Sequence, residues 1–410
     1  MATVVSTPKN SDTATNGPGV LDGIRVLDFG RYIAGPFCAA LLADLGADVI
    51  RVEKVRGSED RFLVPLNDAG DGALFMQVNR NKRGLTLNPM KPDGRAVVRR
   101  LVATADVVVA NLPDAALTAM GLDYTTLATV KPDVILTSVS AFGAGGPYSE
   151  KTGFDGIGQA MSGAMYLSGQ EGQPTKSYVP WVDFTTALSA TVGTLAALMS
   201  KQRTGRGQEV KGSLLAAALT VANAALIEQS VTAPDRVATL NRSQVSAPSD
   251  THRTRDGWIL VQTIGQPLFE RWATLIGEPH WLEDTRFTDD MSRGDHGELI
   301  SERMAAWCAE RRTDEALAAL EAARIPAGPV LSPQQTLDDP HVRATQMLRA
   351  LGFPGTPSPT PVADSPFSLS DTPASIRGRA PQLGEHTEEI LASLGYDPAE
   401  IAALRAARVV

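Results

Sequence analysis

Asp183 is the residue of this sequence best placed for covalent chemistry. It follows the apolar segment Val179-Pro180-Trp181-Val182 and precedes a run of small and apolar residues, 184–199, that predicts a helix. A carboxylate at the start of a helix can act as an N-cap, because its oxygens accept unpaired backbone N–H groups. It can also act as a nucleophile, since a free Asp has a pKa of about 3.9 and is ionised at neutral pH. Position alone leaves both interpretations open.

The elements before Asp183 predict an α/β fold with a doubly wound parallel sheet. Strands are predicted at 24–29, 47–53, 84–87, 106–110 and 133–139, and helices at 35–45, 94–104 and 115–130. This alternation of strand and helix is typical of parallel sheets, whose ligands bind beyond the carboxyl ends of the strands. We therefore expect a ligand at that edge of the sheet.

The chain after Asp183 predicts a second, smaller domain and a return to the first. A helix to about 201, a strand at 209–211 and an Ala/Leu-rich helix at 213–228 complete the first part. Residues 354–366, rich in Pro, Ser and Thr, predict an extended linker, and 385–410 predict helices that return to the large domain. The predicted domains are a disordered tail at 1–20, a large Rossmann-like domain of 21–229 and 331–410, and a small inserted α+β domain at 230–330.

Composition is typical of an ordinary soluble globular protein. The 410 residues are 43% hydrophobic and 20% charged, and the formal charge of -8 gives no reason to expect binding to nucleic acid or an anionic membrane. We expect no apolar stretch of the roughly 18 residues that a membrane span needs. The tail at 1–20 lacks the hydrophobic segment of a signal peptide. Cys38 and Cys308 are far apart and predict buried thiols in a reducing cytoplasm.

Several well-known catalytic motifs are missing from the sequence. It contains no P-loop, no G-x-G-x-x-G after the first strand and no G-x-S-x-G. The histidines are scattered without partners at the spacing of metal ligands, which predicts surface or structural roles for His252, His280, His296, His341 and His386. We therefore expect neither a metal nor a redox cofactor.

A series of segments in a fixed order resembles class III coenzyme A transferases (CaiB/BaiF type). The series comprises residues 21–29, 34–36, 45–53, 79–84, 105–111, 203–208, 325–330 and 380–387, and includes the sequences Asn79-Arg80-Asn81-Lys82-Arg83-Gly84 and Thr204-Gly205-Arg206-Gly207-Gln208. Each block alone is weakly specific, but the ordered set is specific and covers about residues 21–410. The family also contains formyl-CoA transferases, carnitine CoA-transferases and α-methylacyl-CoA racemases.

The resemblance implies that Asp183 is a covalent nucleophile in CoA transfer. In the family's transferases the nucleophilic Asp precedes the Thr-Gly-Arg-Gly-Gln turn, and Asp183 matches that position. Its carboxylate would attack an acyl-CoA thioester to give a mixed anhydride, which the CoA thiolate would reopen to an aspartyl-CoA thioester. A carboxylic acid acceptor would then take the CoA by the reverse steps. The sequence does not identify the two acids.

Two other functions stay open beside transfer. The family's racemases carry a His directly before an Asp, but here Phe154 precedes Asp155, and a phenyl ring cannot move a proton. Racemisation or isomerisation of an acyl-CoA is therefore the weaker alternative. A non-catalytic CoA-binding protein, with Asp183 only as a cap, is the other. Asp155 could support the site or a backbone turn.

The resemblance also implies a set of CoA contacts. Arg31 and Lys54 would meet phosphates, while Leu87, Leu112 and Met120 would flank adenine and pantetheine. The basic residues could equally be solvated surface charges. The full set is Arg31, Tyr32, Ile33, Ala34, Lys54, Leu87, Lys91, Asn111, Leu112, Ala116 and Met120. No cofactor is implied beyond the CoA thioester itself, which is a substrate.

Departures from the family pattern bear on substrate and assembly. Ile33 stands where formyl-CoA transferase has a Gln that assists the reaction, Ala119 stands where it has an Arg, and its long Gly-rich lid is reduced to residues 263–266. Formyl or oxalate specificity is therefore not expected. Arg31, Arg80 or Arg83 could clamp the second carboxylate of a dicarboxylic acid. The resemblance further implies an interlocked homodimer in which each subunit threads the other.

Overall fold

Runs of Val, Ile and Leu form the first strands of the protein, because such side chains fill a sheet that is covered on both faces. The computed structural model describes residues 19–410, so the predicted tail at 1–20 lies outside the described residues except for Gly19 and Val20. In chain order the strands are β1 (Arg25–Asp28), β2 (Asp48–Glu53), β3 (Lys82–Thr86), β4 (Val107–Ala110), β5 (Ile135–Ser140), β6 (Gly169–Gln170), β7 (Gln173–Pro174), β8 (Glu209–Ser213), β9 (Ser249–Arg253), β10 (Trp258–Gln262), β11 (Ala327–Pro329), β12 (Leu348–Leu351) and β13 (Thr360–Ala363).

Helices connect most of these strands. In chain order they are α1 (Ala34–Asp44), α2 (Ala73–Val78), α3 (Pro92–Ala103), α4 (Asp114–Met120), α5 (Tyr124–Val130), α6 (Asp155–Met161), α7 (Ala164–Leu167), α8 (Trp181–Thr204), α9 (Leu214–Thr232), α10 (Gln266–Leu275), α11 (Asp290–Asp295), α12 (Gly297–Ala309), α13 (Thr313–Ala322), α14 (Pro333–Asp338), α15 (Pro340–Ala344), α16 (Thr387–Ser393) and α17 (Pro398–Ala406). Short 3₁₀ turns occur at Glu59–Phe62, Pro279–Glu283 and Thr285–Phe287.

A six-stranded parallel sheet is the centre of the fold, with strand order β3-β2-β1-β4-β5-β8. The α/β class with a parallel sheet is therefore confirmed, and small antiparallel sheets accompany it. The order reverses between β1 and β4, so the loops after these two strands diverge at the carboxyl edge of the sheet. Ligands of such sheets bind in the crevice that this divergence creates.

One cluster of buried side chains joins the sheet to helices from both ends of the chain. Leu27 of β1 and Val108 of β4 pack with Leu101 of α3, Ile390 of α16 and Leu404 of α17. The C-terminal helices thus share a core with the N-terminal strands. Helices α1 and α8 pack against each other, and α8 also packs along β5 and β8. This packing fixes the axis of α8, the helix that carries Asp183.

The chain divides into two compact units. The first consists of residues 19–155, Trp181–Ala217 and Gln346–Val410, and the second of Gly156–Pro180 and Ala218–Thr345. The second unit has its own core, in which Phe269, Trp272, Met304 and Trp307 are buried. It is wider than the predicted small domain at 230–330, because it also takes in 156–180, most of α9 and 331–345.

Two predicted elements differ from the structure. The single helix predicted at 115–130 is two helices, α4 and α5, because Gly121 adopts a left-handed conformation with φ of 71° and ends α4. The extended linker predicted at 354–366 contains β13, which pairs with β12 in an antiparallel hairpin. In this hairpin Val362 is buried, so the alternation of side chains overrides the Pro-rich composition.

The prediction that no segment is long and apolar enough to cross a membrane is wrong. Helices α8, with 24 residues, and α9, with 19 residues, both meet that test by length and composition. Their charged residues lie near the helix ends, which leaves a long uncharged middle. In α8 a buried face that includes Thr186, Ala187 and Ala190 belongs to the first unit, as in the core helix of a globular protein. Most of α9 is exposed.

Candidate active site

Arg31 and Asn111 connect the two loops at the switch point of the sheet. Arg31 follows β1 and Asn111 follows β4. The Arg31 backbone N–H donates to Oδ1 of Asn111 at 2.6 Å, and Nδ2 of Asn111 donates to the Arg31 carbonyl at 2.8 Å. This pair of hydrogen bonds holds the first residues of the predicted CoA-binding loop, 31–34, at the crevice.

The guanidinium of Arg31 points into the protein. Its Nη1 donates to the carbonyls of Phe29, Gly30 and Val52, at 3.0, 2.6 and 3.2 Å. Burial lowers the pKa of Arg31 to about 10, with the positive charge of Arg51 adding to the effect, so the group remains cationic at neutral pH. Arg31 therefore ties together the ends of β1 and β2, and this conformation does not present it to a phosphate.

The two predicted lysine contacts lie on the surface. Lys54 forms an exposed ion pair with Glu59, and Nζ of Lys91 donates to the carbonyl of Ala407. Both are in the setting expected of solvated surface charges, the alternative that the sequence left open. Glu59 lies in the turn after β2, so Lys54 could exchange this partner for a phosphate at little cost.

The predicted apolar contacts fall into two groups. Leu87 and Met120 are buried inside the core cluster, where their side chains fill the interior and do not line an open surface. Leu112 and Ala116 pack against the same cluster but remain partly exposed, so they can still meet a ligand. Ile33 and Ala34 are buried at the start of α1, and Tyr32 has a positive φ of 59°, a conformation uncommon for a tyrosine.

Asp183 is not the N-cap of its helix. Helix α8 begins at Trp181, so Asp183 lies within its first turn. The capping carboxylate comes from Asp155, whose Oδ2 accepts from the backbone N–H groups of Val182 at 2.8 Å and Asp183 at 3.1 Å. The interpretation of Asp183 as a cap is therefore wrong, because a carboxylate 28 positions earlier in the chain takes that place.

The surroundings of Asp183 disfavour its charge. Burial raises the pKa of Asp183 to about 7, and the negative charge of Asp155 adds to the effect. Among residues 19–410 no Lys, Arg or His forms an ion pair with it. Asp183 therefore differs from a free carboxylate in having its pKa raised, while its role as nucleophile stays a prediction. A strongly shifted pKa is a common feature of functional sites.

Two aromatic pairs border the Asp155–Asp183 region. Tyr32 and Phe154 meet edge to face, with ring centroids 5.4 Å apart, and Phe37 meets Phe184 in the same manner at 4.9 Å. Phe154 and Phe184 are the chain neighbours of the two aspartates. Phe184 is half-buried, whereas Phe154 is 64% exposed, so the rings add apolar surface beside the two aspartates without enclosing them. Sequence reasoning identified Phe154 only as the residue that replaces a His.

A buried ionic cluster supports the loop after β1, and sequence reasoning missed it. Oδ2 of Asp28 accepts from Nζ of Lys82 at 2.7 Å and lies 3.4 Å from Nη1 of Arg51, while Oδ1 accepts from the Gly30 backbone at 2.8 Å. Nη2 of Arg51 also pairs with Asp60 at 2.6 Å. The available signal was the presence of Asp28, Arg51 and Lys82 in strands β1, β2 and β3 of the central sheet.

The arginines considered as carboxylate clamps already have acidic partners. Arg80 is buried against Asp44 at 2.6 Å, and Arg83 pairs with Asp48 at 2.7 Å. The segment 263–266, which replaces the family's long lid, lies in the second unit as the turn between β10 and α10. There the Gly265 backbone donates to both oxygens of Asp290. Within the described residues no group of three or more His, Cys, Asp or Glu is arranged to hold a metal ion.

The chain belongs to CoA-transferase family III, whose family model matches residues 21–387. Over 397 residues it is 33% identical to the succinyl-CoA–D-citramalate CoA-transferase of Chloroflexus aurantiacus, covering 96% of this chain and 98% of that protein. It is also 33% identical to the succinate–glutarate CoA-transferase of Agrobacterium fabrum, over 91% of this chain and 95% of that one. A crystal structure of a CaiB/BaiF family protein from Brucella suis matches with a TM-score of 0.81 at 31% identity, over 92% of this chain and all of that chain.

Membership settles the class of reaction. The protein is a class III CoA-transferase, which moves coenzyme A between an acyl-CoA and a carboxylic acid. Acyl-CoA is thus a substrate of the enzyme.

Proposed function

We propose that Asp183 is the nucleophile of the transfer. Its carboxylate oxygen attacks the thioester carbon of the donor, the C–S bond breaks, and CoA leaves as a thiolate with the electron pair. The thiolate then attacks the aspartyl carbonyl of the mixed anhydride, which releases the donor acid and leaves an aspartyl-CoA thioester. The acceptor carboxylate repeats these steps in reverse and regenerates Asp183. No proton has to be transferred at any step.

The observation that carries this proposal is the unpaired, desolvated carboxylate in the first turn of α8. A carboxylate that lacks a cation and has a pKa of about 7 is a stronger nucleophile than an ordinary one, because its electron pair is less stabilised. The half-buried ring of Phe184, next to Asp183 in the chain, helps to keep water from the anhydride, whose hydrolysis would waste the thioester.

The donor is proposed to be succinyl-CoA and the acceptor a small dicarboxylic acid. Support comes from the citramalate and glutarate transferases, which match this chain over almost their whole length. Ile33, in place of the Gln that assists formyl-CoA transferase, argues against formyl-CoA. The second carboxylate needs a partner other than Arg80 or Arg83, since both are already paired with acids.

Racemisation, which the sequence left open, is disfavoured by Phe154. The ring lies beside Asp155 and packs on Tyr32, and neither its chemistry nor its contacts supply a second base. A binding protein without catalysis, the other function left open by the sequence, is not supported, because the chain belongs to a family of CoA-transferases and Asp183 is not needed as a cap.

The enzyme is further proposed to be an interlocked homodimer in the cytoplasm. Apolar residues exposed along α9, among them Val221, Ile227 and Val231, offer a surface that a second subunit can cover. Both cysteines are buried and free, as suits a reducing compartment.

The decisive experiment combines covalent trapping with substitution of Asp183. Incubation with labelled succinyl-CoA and hydroxylamine should yield a hydroxamate at residue 183, detected by peptide mass spectrometry. Asp183→Asn should lower transfer at least about 1,000-fold and give no adduct, since removal of a covalent nucleophile costs this much or more. Asp114→Asn, in the exposed first turn of α4, serves as the control and should react normally. A fully active Asp183→Asn enzyme would rule the mechanism out, and α-proton exchange without an adduct would support the racemase.

A further inference from the structure

Asp155 and Asp183 share the N-terminus of one helix, but only Asp155 uses its backbone donors. The first N–H groups of a helix have no partner within the helix. Here the N–H groups of Val182 and Asp183 both donate to Oδ2 of Asp155, whose residue is only 6% exposed. Asp155 is itself the first residue of α6, so the same residue begins one helix and accepts the first N–H groups of another.

This arrangement removes the stabilisation that Asp183 would otherwise receive. An acidic side chain in the first turn of a helix is normally favoured by free N–H groups and by the helix dipole. Asp155 occupies those donors with its own carboxylate. Asp183 is therefore left partly desolvated beside a like charge.

We propose that Asp155 is a positioning residue that holds Asp183 at the start of α8 and keeps its carboxylate poorly stabilised, and hence reactive, until it is acylated. The inference rests on the proposed role of Asp183 as nucleophile. Attack on the thioester converts the Asp183 carboxylate into a neutral acyl group. The repulsion from Asp155 is then relieved, which favours the covalent intermediate over the free enzyme.

The other ionisable groups near α8 do not account for this effect. On α1, Cys38 is hydrogen bonded to Thr191 and Thr194, and Asp44 is paired with Arg80. On β8, Glu209 pairs with Lys211, and β5 carries no ionisable side chain. Lys201, near the far end of α8, pairs with Asp106 and Asp133. Asp155 is the charged group that acts on Asp183.

The test is the pH profile of the first half-reaction in Asp155→Asn. Asparagine keeps an oxygen that can accept the two N–H groups but removes the charge. Formation of the aspartyl-CoA adduct from succinyl-CoA is followed by mass spectrometry in single turnovers between pH 5 and 9. In the wild type the rate should rise with an apparent pKa of about 7. In the variant the apparent pKa of this rise should be lower by about one unit. The maximal rate of adduct formation at high pH should fall about threefold, and KM should change little.

Asp123→Asn is the matched control. Asp123 caps α5 through the Thr126 backbone, as Asp155 caps α8, but it lies at the surface away from Asp183. It should leave the pH profile unchanged. If Asp155→Asn misfolds, Asp155→Ser offers a neutral acceptor oxygen for the same measurement.

The inference would be overturned if the folded Asp155→Asn enzyme formed the adduct with the same apparent pKa as the wild type. Loss of the aspartyl-CoA adduct at every pH would overturn it as well. The failure of the proposed function looks different, since the wild type itself would then form no adduct at Asp183.

Discussion

Two desolvated carboxylates, Asp28 and Asp183, lie near the carboxyl edge of the same sheet, and their charged neighbours have opposite sign. Asp28 is fully buried, but Lys82 and Arg51 contact it and the Gly30 backbone donates to it. Although burial alone would raise the pKa of Asp28, the two cations hold it below its usual value. Asp183 is also desolvated, yet its charged neighbour is another carboxylate, and its pKa is raised to about 7.

Both aspartates are desolvated, and they differ in whether neighbouring cations compensate the charge. Desolvation disfavours the charge of either aspartate, but only Asp28 has partners that offset the cost. Its ionic cluster shapes the turn at Gly30, which leads into the loop that carries Arg31. The uncompensated carboxylate of Asp183 in the first turn of α8 contributes reactivity at the expense of stability. The cluster around Asp28 stabilises the scaffold, and the start of α8 carries the reactive carboxylate.

The largest effect is expected when the scaffold cluster loses one cation. Lys82→Met keeps the chain length but leaves Asp28 with Arg51 alone, so the free energy of unfolding should fall by about 3–5 kcal/mol. Urea unfolding followed by circular dichroism measures this loss. Lys54→Met removes an exposed ion pair and should change stability by less than about 1 kcal/mol. Equal effects of the two substitutions would contradict the role given to the buried cluster.

A smaller effect of opposite sign is expected at Asp183. The folded-state pKa lies above the unfolded value, so the native enzyme binds more protons than the unfolded chain between about pH 4 and 7 and loses stability as pH rises through that window. Asp183→Asn does not titrate. The variant should therefore be more stable than the wild type by about 1–2 kcal/mol at pH 8, after allowance for solvent screening, and by less at pH 5.

Thermal or urea unfolding at pH 5 and pH 8 gives this comparison directly. A stability difference that is the same at both pH values would show that Asp183 has an ordinary pKa. The charge of Asp183 would then be compensated in the folded protein, as that of Asp28 is.

The smallest effect concerns the apolar wall beside Asp155. Phe154→Ala removes the edge-to-face contact with Tyr32 and further exposes the region beside Asp155 to water, so the apparent pKa of acylation should fall by a few tenths of a unit. Hydrolysis of succinyl-CoA should increase several-fold relative to transfer. A coupled assay for free CoA, with and without acceptor acid, measures that ratio. An unchanged ratio would mean that Phe154 does not exclude water.

Local patterns were sufficient to predict much of the fold. The apolar runs of β1, β2, β4 and β5 and the small-residue helix after Asp183 are each determined by adjacent residues, so their periodicity indicates them directly. The errors arose where a distant pairing decided the outcome. Thus β13 formed as a strand because β12 pairs with it, despite its proline.

The candidate site shows the same division between features set by local sequence and features set by distant contacts. The order of motifs in the sequence determined the family, and the type and position of Asp183 identified a carboxylate at a helix start. Tertiary structure decided the charge state of that carboxylate. Asp155 reaches Val182 across 27 positions and Lys82 reaches Asp28 across 54, while Arg31 donates to the Val52 carbonyl. The charge state of a buried group depends on burial and on neighbours brought together by folding, and these do not appear in the order of residues along the chain.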